Sequence, residues 1–332
     1  MRQWSPAELI RFSNNYWGIC ALHAAVELDV FTPLRDGPMT IADLGVRLNC
    51  SPRGIKALIP ALCALSLLQK NGESVALTPV ARECLCRGEE GYIGHIINHH
   101  RQLMPGWARL GQAVRKGAPT RERMSFAEDD EREHFLMGMY NMASVRADRV
   151  LKAVDFSGRH CLLDLGGGPG AYAVRFCQAN PGLQAVIFDL PTSRRFAEQV
   201  VRKSGLEARI SFAPGNFFED PLPEGVDVVW MSHILHGTGD AEARQLVAKA
   251  MALLPPGGQI LIQEFVLDDA QDGPLFPALF GLNMLSGTPT GKAFTEGELK
   301  ALLDEAGGEH VRRIFTSDED GTGIIVAEKP GA

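Results

Sequence analysis

At 332 residues, with 45% hydrophobic and 22% charged side chains, the chain has the balance of an ordinary globule and apolar material for about two domain cores. Its formal charge of −7 argues against a partner that presents a polyanionic backbone. No run reaches the ~18 apolar residues needed to cross a bilayer, so no membrane partner is expected. Seven scattered cysteines, an odd number mostly within apolar runs, predict reduced core thiols rather than a disulfide framework or a zinc site. The opening "MRQWSPAELIRF" lacks the apolar core of a secretory signal, and the expected compartment is the cytoplasm.

Residues 1–105 carry helical spacing first. "NNYWGICALHAAVELDVFTPL" predicts a helix ending near Pro33. Thr40 suits the N-cap of a short helix, and Ser51 with Pro52 opens a second over 51–68. "LLQKNGESVALT" reads as strand, Asn-Gly turn and strand. Helix, helix and two-stranded wing make a winged-helix pattern. Its second helix carries only Arg53 and Lys56 as bases among Ile, Leu, Ala and Cys. A helix that reads DNA needs an exposed polar face for phosphates and base edges. This one is expected to pack as a dimerisation element, with no nucleic-acid partner.

Residues 106–150 continue as connecting helices, divided by the polar stretch "KGAPTRERMSFAEDDERE". In "FLMGMYNM", Phe135, Met139 and Met142 are candidate walls of an acceptor pocket, because methionine moulds to flat apolar ligands; simple core is the competing reading. His95 and His99 stand one helical turn apart in "HIINHH". No third ligand lies at motif spacing, so a polar pocket lining is expected there and no metal.

After Gly158 the pattern changes. Short apolar strands at 161–165, 184–188, 209–213, 226–231 and 258–266 alternate with helical segments, which predicts a parallel sheet covered on both faces over 151–332. "HVRRIFTS" and "GIIVAEK" are joined by a link too short for a parallel crossover, so they form an antiparallel hairpin. The fold class is α/β: a Rossmann-like domain with a mostly parallel sheet and a C-terminal antiparallel hairpin, preceded by the mainly helical winged-helix domain.

"CLLDLGGGPG" runs from a buried strand into a glycine turn, with Asp164 just before it. Gly166 and Gly168 allow close backbone approach. The turn lacks G-x-G-x-x-G spacing, and Asp164 would repel a pyrophosphate, which disfavours a nicotinamide dehydrogenase. Asp189, followed by Leu190, ends the next strand, a place where an acid commonly takes ribose hydroxyls. In "GNFFED", Asn216 is placed to meet an adenine edge and Phe217 or Phe218 its face; Ser232 ends the fourth strand. A ribose with a cationic amino-acid end fits these groups, and S-adenosylmethionine has both.

The ordered set "AAVELDVFTPL", "LLDLGGGPG", "FDLP", "GNFFEDPLPEGVDVV", "ILHGTGD", "ALLPPGGQILIQEFVLDD" and "LFGLNML" resembles the S-adenosylmethionine-dependent O-methyltransferases with an N-terminal winged-helix dimerisation domain, the plant phenolic and bacterial polyketide or pigment type. The resemblance spans nearly the whole chain. It implies a homodimer through the N-terminal helices and methyl transfer to a flat, largely apolar small molecule, first of all to a hydroxyl.

In that family the general base is the histidine of a Leu-His-Asp run, which His236 matches, with Gly237 in place of the acid. Histidine suits the role because its ordinary pKa is about 6.5. Glu264 matches one of the two carboxylates around the base; Ala293 stands where the other would be. His233 has no family role and reads as packed or cofactor-adjacent. Asn283 and Met284 are further candidate pocket walls. The incomplete constellation keeps two alternatives open: carbon or nitrogen methylation by alignment alone, and a cofactor-sensing regulator that uses its winged helix on DNA.

Overall fold

The computed structural model describes residues 4–121, 129–317 and 319–331. Their contacts form two compact units: the described residues up to Met104 together with Glu133–Asn141, and the remaining residues. The boundary differs from the three-segment expectation, because Glu133–Asn141 groups with the N-terminal unit while Met142 onward does not. Residues 122–128 of the expected polar divider lie outside the described residues.

In the first unit, α1 (Pro6–Ser13) is set by a capping box, Ser5 accepting from Glu8 N–H while Glu8 accepts from Ser5 N–H. The next helix, α2 (Tyr16–Glu27), ends before the position expected near Pro33, because Asp29 takes a left-handed conformation at φ 54°. A short strand β1 (Met39–Thr40) leads into α3 (Ile41–Arg47), whose N-cap is Thr40, and Ser51 caps α4 (Pro52–Ala64) by accepting Gly54 N–H at 3.1 Å. This second helix is shorter than the expected 51–68; Ser66, at φ 59°, turns the chain into β2 (Leu68–Asn71). It pairs with β3 (Ser74–Leu77) around a loop of Gly72 and Glu73, one residue later than the expected Asn-Gly turn. β1 adds a third strand on β3, Met39 opposite Val75, too short to signal itself by alternation. Ile55, Ile59 and Leu62 of α4 are buried, one stripe at helical spacing. The first unit continues through α5 (Pro79–Leu85) and most of α6 (Gly94–Ala108); α7 (Leu110–Lys116) belongs to the second unit, and α8 (Asp129–Leu151) gives Glu133–Asn141 to the first and its remaining residues to the second.

The second unit is built on a sheet. Its elements are β4 (Cys161–Leu165), α9 (Ala171–Ala179), β5 (Gln184–Asp189), α10 (Arg194–Ser204), β6 (Ile210–Pro214), β7 (Val228–Ser232), α11 (Asp240–Leu253), β8 (Gln259–Leu267), α12 (Leu275–Gly287), β9 (Phe294–Thr295), α13 (Glu296–Glu305), β10 (Glu309–Thr316) and β11 (Thr322–Glu328). The strand order is β10-β11-β8-β7-β4-β5-β6, with β9 beside β8. The β4 to β8 pairings are parallel; β11 lies antiparallel on β8 and β10 antiparallel on β11, as the short link requires. Leu163, Leu165, Val229, Met231, Ile260 and Ile262 form a core layer with Leu246, Val247, Leu299 and Leu303. On the other face Trp230 meets Tyr172 and Phe176 with ring centroids 5.1 and 5.0 Å apart. Each fully buried aliphatic or aromatic side chain contributes about 1.5–3 kcal/mol. The strand middles therefore hold the domain, and the strand ends are free to carry polar groups.

Candidate active site

The carboxyl ends of the parallel strands share one edge of the sheet, and the first of them presents Asp164. It is 2% exposed. Its carboxyl lies so close beneath the glycine turn that a Cβ on Gly167 would stand 2.5 Å from its Cγ. Burial pushes its pKa up to about 7, against the pull of the Ala173 N–H and with the push of Asp189. Oδ2 has no hydrogen-bond partner. Leaving a buried acceptor unpaired costs about 1–3 kcal/mol, which a donor on a ligand would recover. A cationic amino-acid end, such as that of S-adenosylmethionine, supplies such a donor, so the residues present fit that cofactor.

The glycine turn is tied to the protein itself. Gly166 donates to Phe188 O at 2.8 Å, and Gly168, at φ 52°, donates to Asp189 Oδ2 at 2.8 Å. Asp189 Oδ1 accepts from Leu190 N–H and Ser193 Oγ, both at 2.7 Å. Sequence reasoning assigned Asp189 to a ribose alone. Three of its roughly four acceptor positions are in fact taken by internal donors, leaving one on Oδ2.

After β6, Asn216 opens a tight loop: its N–H donates to Asp220 Oδ2 at 2.8 Å and its Oδ1 accepts from Phe218 N–H at 3.1 Å. Lys249 Nζ pins the loop through Phe217 O at 2.9 Å. Phe217 is the ring that approaches the glycine turn, 3.7 Å from where a Cβ on Gly166 would stand. Ser232, at the end of β7, donates to Gln263 Oε1 at 2.9 Å.

His236 sits on a single 3₁₀ turn, Leu235–Gly237. Glu264, in β8 and 1% exposed, holds it twice: Oε2 lies 2.8 Å from His236 Nδ1, and Oε1 accepts the His236 backbone N–H at 3.2 Å. Lys292 N–H donates to His236 O at 2.9 Å. A carboxylate only accepts, so Nδ1 carries a proton, and in the neutral ring Nε2 keeps a free lone pair. Burial alone would raise the Glu264 carboxyl, yet the two histidines hold it far below the ordinary carboxylate range. His233, at φ 56°, brings its Nδ1 to 3.6 Å from the same Oε2, and burial disfavours its charged form. Gly237 and Ala293, where the family pattern would have acids, are both buried.

An aromatic wall borders the pair, and sequence reasoning missed it. The Phe280 ring meets His236 edge-on at 4.7 Å and Phe265 at 4.6 Å; Phe276 stacks on Phe280 at 6.3 Å. The i, i+4 spacing of Phe276 and Phe280 in "LFPALFGLN" was the available signal. Of the candidate pocket walls, Met142, Asn283 and buried Met284 belong to this unit, and Asn283 Oδ1 accepts from Arg121 Nη2 at 3.2 Å. Phe135 and Met139 belong to the other, where the Phe135 ring lies 5.3 Å from that of His99.

Comparison with known proteins places the whole chain in a family. The O-methyltransferase domain family matches residues 107–309, and the O-methyltransferase dimerisation domain family matches 10–87. The chain is 33% identical over 330 residues to 3-hydroxy-5-methyl-1-naphthoate 3-O-methyltransferase of Streptomyces sahachiroi, covering 98% of this chain and 95% of that one. It is 32% identical over 335 residues to the N,N-dimethyltransferase OxyT of Streptomyces rimosus, covering 97% and 96%. Human N-acetylserotonin methyltransferase, solved with S-adenosylmethionine, superposes with a TM-score of 0.88 at 28% identity over 99% of each chain. The chain belongs to the S-adenosylmethionine-dependent O-methyltransferase family, with the family's dimerisation domain at its N-terminal end.

Proposed function

We propose that the enzyme methylates a hydroxyl of a flat, largely apolar small molecule, with His236 as general base and Glu264 as the group that orients it. The observation that carries this reading is the 2.8 Å contact between His236 Nδ1 and Glu264 Oε2, which leaves Nε2 as proton acceptor. Bound S-adenosylmethionine supplies a methyl group already activated by a positively charged sulfur. The protein's work is to align the acceptor and take its proton. His236 Nε2 removes the hydroxyl proton, and the Glu264 carboxylate stabilises the resulting imidazolium. The Phe280 ring and Met142, backed by buried Phe265 and Met284, offer a flat aromatic acceptor apolar surface, and Asn283 gives it a polar edge.

For the cofactor, the reading assigns its ammonium end to Asp164, its ribose to the remaining Asp189 acceptor beside Leu190, and its adenine to Asn216 and Phe217. The backbone of Gly166 and Gly168 and the end of β7 at Ser232 complete the cradle. The protein acts as a cytoplasmic homodimer, a reading supported by the dimerisation domain and by seven cysteines that are all free thiols. Methyl-labelled cofactor offered with phenols, aromatic amines and carbon acceptors tests the assignment. Label on oxygen is expected; label only on nitrogen or carbon overturns the hydroxyl acceptor.

A further inference from the structure

We propose that His233, His236 and Glu264 form a site for a borderline divalent cation of the Zn2+ kind, and that filling it switches off the base. The switching rests on the proposed role of His236; the site itself does not.

Among the described residues, these three offer one ligand atom each within 4.8 Å of one another. Two imidazoles and a carboxylate are a donor set that zinc uses when it keeps a fourth position open. Tetrahedral bonds of about 2.0–2.2 Å set donor atoms about 3.3–3.5 Å apart. Here His236 Nδ1 is 2.8 Å and His233 Nδ1 3.6 Å from Glu264 Oε2. Shifts of about half an ångström or less bring both to that separation, and the two imidazole nitrogens, within 4.8 Å of each other, have up to about 1.4 Å to close. Neither ring nitrogen of His233 has a hydrogen-bond partner, although both are buried. The cation nearby is Arg146, and Asp320 already neutralises it through contacts of 2.6 and 2.7 Å. The Glu264 carboxylate supplies negative charge to the centre of the group.

The effect on the base follows from proton counting. A neutral imidazole has one N–H. Without a cation, His236 Nδ1 donates to Glu264 and the Nε2 lone pair is free. When a cation takes the Nδ1 lone pair, the ring proton resides on Nε2, and the ring can accept no other. The ring stays neutral, but it no longer works as a base.

The test titrates the full chain with Co2+ and with Zn2+, beside His233→Phe, His233→Asn and His95→Phe, each first shown to be folded by its thermal shift with S-adenosylhomocysteine. One Co2+ per chain is expected, with visible d–d absorption and no thiolate charge transfer. Either His233 variant should weaken binding at least about tenfold, since losing a ligand costs no less than losing its outer-shell support. His95→Phe should leave it unchanged. Turnover of the wild-type enzyme should fall in step with occupancy and return with a chelator. Undiminished binding in both His233 variants, a thiolate signature or no saturable binding overturns the site. A filled site with full turnover overturns the switch and with it the base role of His236, while the site stands.

Discussion

Asp189 Oδ2 accepts the Gly168 N–H at 2.8 Å, so the acid that ends β5 shapes the glycine turn whether or not a ligand is present. Asp189→Ala leaves the N–H groups of Gly168 and Leu190 and the Ser193 hydroxyl without their acceptor. Cofactor affinity should drop by about 1.5–3 kcal/mol, the range for a hydrogen bond to a charged group. Stability should fall as well, which a purely ligand-facing carboxylate would not cause. Calorimetry and denaturant unfolding on one preparation read both; lost affinity at full stability would return Asp189 to the ribose alone.

Asp164 makes cofactor binding depend on pH. Its pKa lies near 7 in the free protein, so it is largely protonated in mildly acidic solution. A cationic ligand end favours the carboxylate, so binding should release a proton near neutrality. Affinity should rise as pH rises through about 7 and level off above it. For the free protein the sign is opposite. A folded pKa above the unfolded value gives stability that is present in acid and lost as pH rises toward 7. Calorimetry in buffers of different ionisation enthalpy measures the proton release, and Asp164→Asn should abolish it. An unchanged proton release in that variant would exclude Asp164 as its source.

His236→Ala should cost about 10²–10⁴ in turnover, the usual worth of a positioned proton acceptor. The wild-type rate should decline toward low pH, because imidazolium accepts no proton. Glu264→Gln keeps the shape but removes the charge that supports the imidazolium, and should slow turnover at every pH. Cofactor affinity should hardly change in His236→Ala. A loss of about tenfold or less with a flat pH profile would mean that alignment alone drives transfer.

Helix α1 buries none of its residues, yet it exposes Leu9, Ile10 and Phe12, and α2 exposes Tyr16, Trp17 and Ile19. An apolar face of this kind marks an association surface. The protein should run as a dimer in light scattering and remain one in high salt, since apolar burial is not screened as charge is. Trp17→Glu should shift it toward monomer; a monomer mass for the wild type at micromolar concentration would sink the homodimer.

Local signals made much of this fold legible. The caps at Thr40 and Ser51, the alternating strands and the short link between β10 and β11 each act within a few residues of sequence. What stayed hidden was either very short or carried by distant partners. β1 has two residues, and α2 stops where Asp29 turns left-handed, which no spacing announces. His236 and Glu264 are 28 residues apart, so their pairing was open only through the family resemblance. Asp189 could be picked out as a strand-end acid, but its internal load depends on Gly168, 21 residues earlier. Phe280 lies on a helix so rich in apolar residues that no single face stood out.

Glu264 lies on β8 between β7 and β11, with Gly323 beside it on β11. Phe276 and Phe280 lie on α12, which leaves Leu275, Phe276 and Leu279 exposed. On the proposed reading, the base and its carboxylate are thus anchored by an inner strand of the sheet, while Phe276 and Phe280 of the acceptor wall are carried by a helix with exposed apolar side chains. Substitutions along α12 offer a route to new substrates that leaves the proton acceptor in place, and directed evolution of acceptor range should concentrate its successful changes there.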